Sequence, residues 1–111
     1  MDSETVLDSV GKTKRLVVVD NGWIHYGVSS EIISVVTESI FDQLIRKPVR
    51  IGMNDSPCPS TRALTNHYYQ RTVDIAQQLV QMLDLELDVC KIFPKSKVPL
   101  DVPDPSFKGP F

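Results

Sequence analysis

The chain has 111 residues, 41% of them apolar, and a formal net charge of −2. That length supports one domain and no second, and the apolar share excludes wholesale disorder. The charge balance, with no long run of one sign, excludes a general nucleic-acid binder, and no apolar run is long enough to span a bilayer.

In chain order, Ser3 reads as the N-cap of a short helix whose Val6, Leu7 and Val10 share a face, with Gly11 as its stop. Lys14–Asp20 (KRLVVVD) follows, four consecutive apolar residues that read as a strand buried on both faces, as in parallel sheets. Val28–Ile45 is the strongest element. Val28, Ile32, Val36, Ile40 and Leu44 recur every four residues, which predicts an amphipathic helix. Pro48 closes the connection, and Val49–Met53 (VRIGM) is a second strand. Asp55–Arg71 holds Pro57 and Pro59 and reads as irregular. A third helix starts near Thr72, with Asp74 against its dipole and Ile75, Ala76, Leu79, Val80 and Leu83 inward. Leu85–Ile92 alternates weakly and reads as a last strand or a strap. Five of the eight prolines fall between Pro94 and Phe111, so that tail reads as extended, with Phe107 and Phe111 as anchors.

Strands alternating with helices predict an α/β fold, a three-layer, mostly parallel sheet with flanking helices. Residues 1–92 form the domain and 93–111 a proline-rich tail. Cys58 and Cys90 lie far apart with no secretory segment before them, and read as reduced thiols in the cytoplasm.

The stretch Asp20–Ile33 (DNGWIHYGVSSEII) joins the first strand to the long helix, and two glycines bracket it. A glycine loop at a helix N-terminus is the usual phosphate cradle. Here the residues between Gly22 and Gly27 are bulky, and neither G-x-G-x-x-G nor G-x-x-x-x-G-K-[ST] is present. The stretch therefore reads as a corner: Gly27 permits tight approach and Trp23 packs on the layer below. An Asn-Gly hairpin is the competing reading, weakened because a helix follows. His25 and His67 are not spaced as metal ligands, and Cys58 has no nearby Cys. Glu31 reads as a dipole partner or a buried acceptor rather than a catalytic acid. His67-Tyr68-Tyr69 reads either as packing at a loop–helix junction or as an aromatic contact surface. No residue is assigned to catalysis, cofactor binding or metal binding.

Three stretches carry a family resemblance. Glu4–Val19 is similar to a helix–strand unit of the pattern ET(I/V)L(E/D)SV-KT-RL(V/L)VV. Gly27–Ile32 is similar to a turn that feeds a long helix. Asp55, Pro57, Pro59, Ala63 and Leu64 match a D-x-P-x-P loop followed by Ala-Leu. Together they resemble the C-terminal domain of the beta subunit of thiamine-diphosphate-dependent 2-oxo acid dehydrogenases, a domain shared with transketolase. Thr65 and Gln70 depart from the family's usual Glu and Pro. The resemblance implies structural roles for Gly22, Gly27, Glu31, Asp55, Pro57, Pro59 and Leu64. It also implies that thiamine diphosphate and magnesium are held elsewhere in the parent enzyme. The partners it implies are an alpha subunit, a second beta subunit and the lipoyl acyltransferase core, with neither nucleic acid nor membrane among them. Family members carry further strand–helix units before the segment matching Ser3. On that comparison the chain reads as an incomplete piece whose uncovered edges favour homo-oligomers. A stand-alone interaction module and a transketolase-type enzyme domain are the alternatives.

Overall fold

The computed structural model describes residues 1–93, which hold two strands, five α-helices and one 3-10 turn. Helix α1 (Ser3–Thr13) is capped by Asp2 rather than Ser3. The Asp2 carboxylate accepts from the Thr5 N–H (3.1 Å) and from the Thr5 hydroxyl (2.7 Å). These bonds, the hydroxyl's above all, hold the Asp2 carboxyl below the usual carboxylate range. Gly11 does not stop the helix. Lys14 does, in the left-handed region at φ 59°, with its N–H donating to Val10 O (2.7 Å).

Strand β1 (Val17–Trp23) runs three residues past the expected Asp20 and pairs in parallel with β2 (Val49–Met53). The register sets Val17 opposite Val49, Val19 opposite Ile51 and Trp23 opposite Met53. Between the last two pairs β1 takes four residue steps where β2 takes two, so Asp20-Asn21-Gly22 bulges out of the ladder. The parallel pairing excludes the Asn-Gly hairpin. The expectation that β1 is buried on both faces also fails. Ile51 is buried while its partner Val19 is 51% exposed, because a two-stranded sheet leaves part of its surface uncovered.

Helix α2 (Val28–Ile40) packs on β1, and α1 packs on α2. The α-helix ends at Ile40, earlier than its apolar period suggests, and Phe41–Gln43 tighten into the 3-10 turn. Tertiary structure overrides the period here: the Ile45 N–H goes to Lys14 O (3.1 Å) and the Val49 N–H to Leu16 O (3.0 Å), steering the chain into β2. Val36 on α2 is fully buried. Val10, Ile51, Tyr68, Met82 and Val89 complete the buried apolar set among the described residues.

Two segments differ from expectation. Within Asp55–Arg71, residues Arg62–Tyr68 form helix α3, between extended Thr61 and extended Tyr69. The prolines stop short of it, and Ala63-Leu64 favour helix. Leu85–Ile92 ends as a single helical turn, α5 (Val89–Ile92), because the Asp88 carboxylate caps the Cys90 N–H (3.1 Å). Helix α4 (Thr72–Met82) starts where expected, with Asp74 accepting from the Arg71 N–H (2.8 Å). The proline-rich tail from Pro94 on, with Phe107 and Phe111, lies outside the described residues.

Two arginines tie the end of α4 to the βαβ unit. Arg15 Nε donates to Met82 O (3.0 Å), a cation at a helix C-terminus. Arg46 pairs through Nε (3.2 Å) and Nη2 with the carboxylate of Asp84. Hydrogen bonding from Arg46 holds the Asp84 carboxyl below its ordinary 3.8.

Truncating Val36 to Ala removes two fully buried methyl groups and should cost about 1.5–3 kcal/mol in urea unfolding, whereas Val19→Thr should cost under about 0.5 kcal/mol. The Asp84–Arg46 pair carries a pH signature. A lowered folded pKa means that its stabilisation is complete above 3.8 and is lost as the pH falls through the folded value. Asp84→Asn should therefore reduce the stability difference between pH 5 and pH 3, read from urea midpoints at the two pH values. The effect should be small beside that of Val36→Ala, since both partners are half exposed.

Candidate functional site

In open α/β sheets ligands gather at the carboxyl ends of the strands. Here that end is made by the corner Asp20–Val28 and the loop after β2. The corner is built from backbone at close quarters. The Gly22 N–H donates to Asp20 Oδ1 (3.0 Å) across the bulge, and the Ile24 N–H donates to Met53 O (2.9 Å), extending the pairing past Trp23. Gly27 is the N-cap of α2 at φ −88°, ψ 173°, an ordinary extended conformation that any residue adopts. What requires glycine is space: a Cβ there would lie 2.6 Å from Trp23 O. Gly52 on β2 is confined in the same way, with Gly22 O 2.9 Å from where its Cβ would be.

Side chains then lock the corner to the second strand. Arg50 Nη1 donates to Ile24 O (3.0 Å) and to Ser30 Oγ (2.7 Å), joining β2, the corner and the first turn of α2. His25 Nδ1 is paired with the Asp55 carboxylate, so the loops leaving β1 and β2 are clasped to each other across the end of the sheet. Trp23 is 58% exposed and Tyr26 fully so, the latter at a left-handed φ of 58°. The expectation that Trp23 packs on the layer below is therefore corrected. Its partner position is Met53, and that face is open at the end of the two-stranded sheet.

The structure brings Gly22, Gly27 and Asp55 to this corner, with Glu31 exposed in the first turn of α2, where it faces the helix dipole and is not a buried acceptor. Pro57 and Pro59 lie further along the loop, and Leu64 is exposed on α3. Sequence reasoning missed Arg50, Gly52 and the His25–Asp55 pair. An arginine in the middle of VRIGM was a visible signal. The clasp had none, since its members are thirty positions apart. Tyr68 is buried, its hydroxyl donating to Ser56 O (3.0 Å), and the Tyr69 ring meets it edge-on at 5.2 Å. Tyr68 thus packs at a loop–helix junction, and Tyr69 is half-buried beside it. The side chain of His67 lies outside the described residues. Tyr69 OH also meets Cys58 Sγ (3.0 Å).

The corner does not fit a diphosphate. The Asp20 carboxylate already accepts from the Gly22 amide and lies 3.2 Å from the point where a Gly22 Cβ would be. It places a negative charge where a phosphate would need donors. Among the described residues no group of three or more His, Cys, Asp or Glu is arranged to hold a metal ion.

Residues 1–75 match the family described as transketolase, C-terminal domain. The chain belongs to this family. Similar relatives bear the name pyruvate dehydrogenase E1 component subunit beta. The protein from Rickettsia conorii is 42% identical over 59 residues, 53% of this chain and 18% of the relative. The mitochondrial proteins of Ascaris suum and Homo sapiens are 36% identical over 87 residues and 34% over 86. Those alignments take in 78% and 77% of this chain and 24% of each relative. The chain thus spans about a fifth to a quarter of the length of the relatives it matches.

Gly27→Ala should destabilise by about 1–3 kcal/mol, since a backbone carbonyl has to move. Gly11→Ala, inside α1 with nothing within 4 Å of the added carbon, should stabilise by about 0.5–1 kcal/mol. Thermal and urea unfolding of the two single variants will show whether the signs are opposite.

Proposed function

We propose that this chain is the C-terminal structural and subunit-association region of the beta subunit of a thiamine-diphosphate-dependent 2-oxo acid dehydrogenase of the pyruvate type. In the parent enzyme the reaction is oxidative decarboxylation of a 2-oxo acid with acyl transfer to a lipoyl group. Thiamine diphosphate and magnesium are held elsewhere in that enzyme. The region packs against an alpha subunit and a second beta subunit and helps dock the lipoyl acyltransferase core. Gly22, Gly27, Glu31, Asp55, Pro57, Pro59 and Leu64 serve the architecture of the corner and its loop. Cytoplasmic residence belongs to the same proposal and is supported by two free, exposed thiols, Cys58 and Cys90.

The observation that carries this reading is the corner's chemistry within a family match that covers residues 1–75. The Gly22 amide is already bound by Asp20, backbone crowds Gly27, and Arg50 is bound to Ile24 O and Ser30 Oγ. Many large apolar side chains lie exposed, among them Val19, Trp23, Phe41 and Ile45, which suits a surface that other chains cover.

The test is to incubate the 111-residue chain with thiamine diphosphate, magnesium and pyruvate and follow carbon dioxide release, with light scattering on the same sample. Background-level release and a mass above that of one chain are expected. Turnover by this chain alone would refute the structural role, and a stable monomer would count against the association surface.

A further inference from the structure

Asn21-Gly22 is the only Asn-Gly pair in the sequence; the other asparagines, Asn54 and Asn66, precede Asp55 and His67. The pair makes no hairpin and takes no regular place in the ladder. It sits in the bulge between Val19 and Trp23, and Asn21 is exposed there. That position puts two reacting groups and a base side by side. The Asn21 side-chain amide precedes a backbone nitrogen that no Cβ of its own residue shields. The Gly22 N–H is turned to Asp20 Oδ1 (3.0 Å), and Asp20 Oδ2 lies 3.2 Å from the point where a Gly22 Cβ would be. A base has to lie within hydrogen-bond reach of the proton it removes, and this carboxylate does.

We propose that Asn21 is a site of intramolecular deamidation in the folded chain, with the Asp20 carboxylate as the base. Asp20 takes the Gly22 N–H proton as that nitrogen bonds to Asn21 Cγ. The Cγ–Nδ2 bond then breaks, and the side-chain nitrogen leaves as ammonia with the proton that Asp20 took. A cyclic succinimide remains. Water opens it at either carbonyl, giving aspartate or isoaspartate, and no oxidant or reductant takes part. Either product adds a carboxylate next to that of Asp20. Isoaspartate also inserts a methylene into the main chain just before Gly22, whose carbonyl oxygen lies 2.9 Å from the point where a Gly52 Cβ would be. The modification therefore acts on the close backbone approach between β1 and β2. The proposal is independent of which enzyme the chain belongs to.

The test is peptide mapping by mass spectrometry of the full 111-residue chain after incubation at neutral pH, folded and in concentrated urea, beside two full-length variants. Asp20→Ser keeps an acceptor for the Gly22 N–H without a basic carboxylate. Asp20→Asn is isosteric and uncharged, so it maintains the comparison if serine loosens the fold. In the folded chain Asn21 should convert ahead of Asn54, and each variant should slow its conversion roughly tenfold. In urea the variants should change the rate by less than about twofold, because the fold is what places the base. Conversion at the unaltered rate in both folded variants would overturn the proposal. Faster conversion in them would do the same, since the carboxylate would then shield the amide. So would an Asn21 that stays intact in the folded chain and converts only in urea.

Discussion

Two carbonyl oxygens constrain this fold more than any side chain does. Gly22 O presses on Gly52, and Trp23 O presses on Gly27, each so closely that a Cβ would sit inside contact distance. Neither glycine is there for an unusual φ. Both are there because backbone meets backbone at the point where β1 bulges, keeps its pairing with β2 and then turns into α2. Given that approach, much else follows. Ile24 can still donate to Met53, Arg50 can reach Ile24 O and Ser30 together, and α2 lies back over β1 with Val36 in the interior. A side chain at either position would push the strands or the helix apart and separate these interactions at once.

What could be read from the sequence was what depends on local periodicity and caps. The four-residue recurrence from Val28 to Leu44 located α2, and Asp74 marked the start of α4. The alternation of helix and strand identified the parallel pairing of β1 with β2. What could not be read was decided at a distance. Ile45 leaves the helical ladder because Lys14 O accepts its amide, and nothing near Ile45 announces that. β1 continues to Trp23 because β2 lies alongside, although Asn21-Gly22 taken alone signals a turn. Helix α3 was hidden by the prolines before it, and the alternation through Val89 concealed a turn capped by Asp88. The corner was legible as a strand-to-helix turn. The clasp that completes it, His25 with Asp55, was legible only as two separate polar residues.

Cations are unevenly distributed along the chain, and the distribution follows the sheet. Residues 16–45, which hold β1, the corner and α2, contain no lysine or arginine, but they contain Asp20, Glu31, Glu38 and Asp42. Lys12, Lys14 and Arg15 precede that run, and Arg46, Lys47 and Arg50 follow it. In a parallel β-α-β unit the residues before both strands meet at one end. Arg15 and Arg46 accordingly act together there, one on Met82 O and the other on Asp84, and anchor the C-terminal helices to the amino end of the sheet. At the carboxyl end Arg50 meets Ile24 O and Ser30 Oγ, beside the acidic Asp20 and Asp55 and the rings of Trp23 and Tyr26.

That polarity bears on what this end of the sheet, where α/β folds usually place their chemistry, offers to a ligand. A phosphate or carboxylate ligand needs free donors and a local positive field. The Gly22 amide is committed to Asp20, Arg50 is committed to a carbonyl and a hydroxyl, and His25 is held by Asp55. These three donors already have partners within the fold. Trp23 and Tyr26 remain outside, and large rings beside satisfied polar groups suit contact with another protein surface better than they suit a reacting small molecule. The close backbone approach at Gly27 and Gly52 fixes the shape that the corner presents outward.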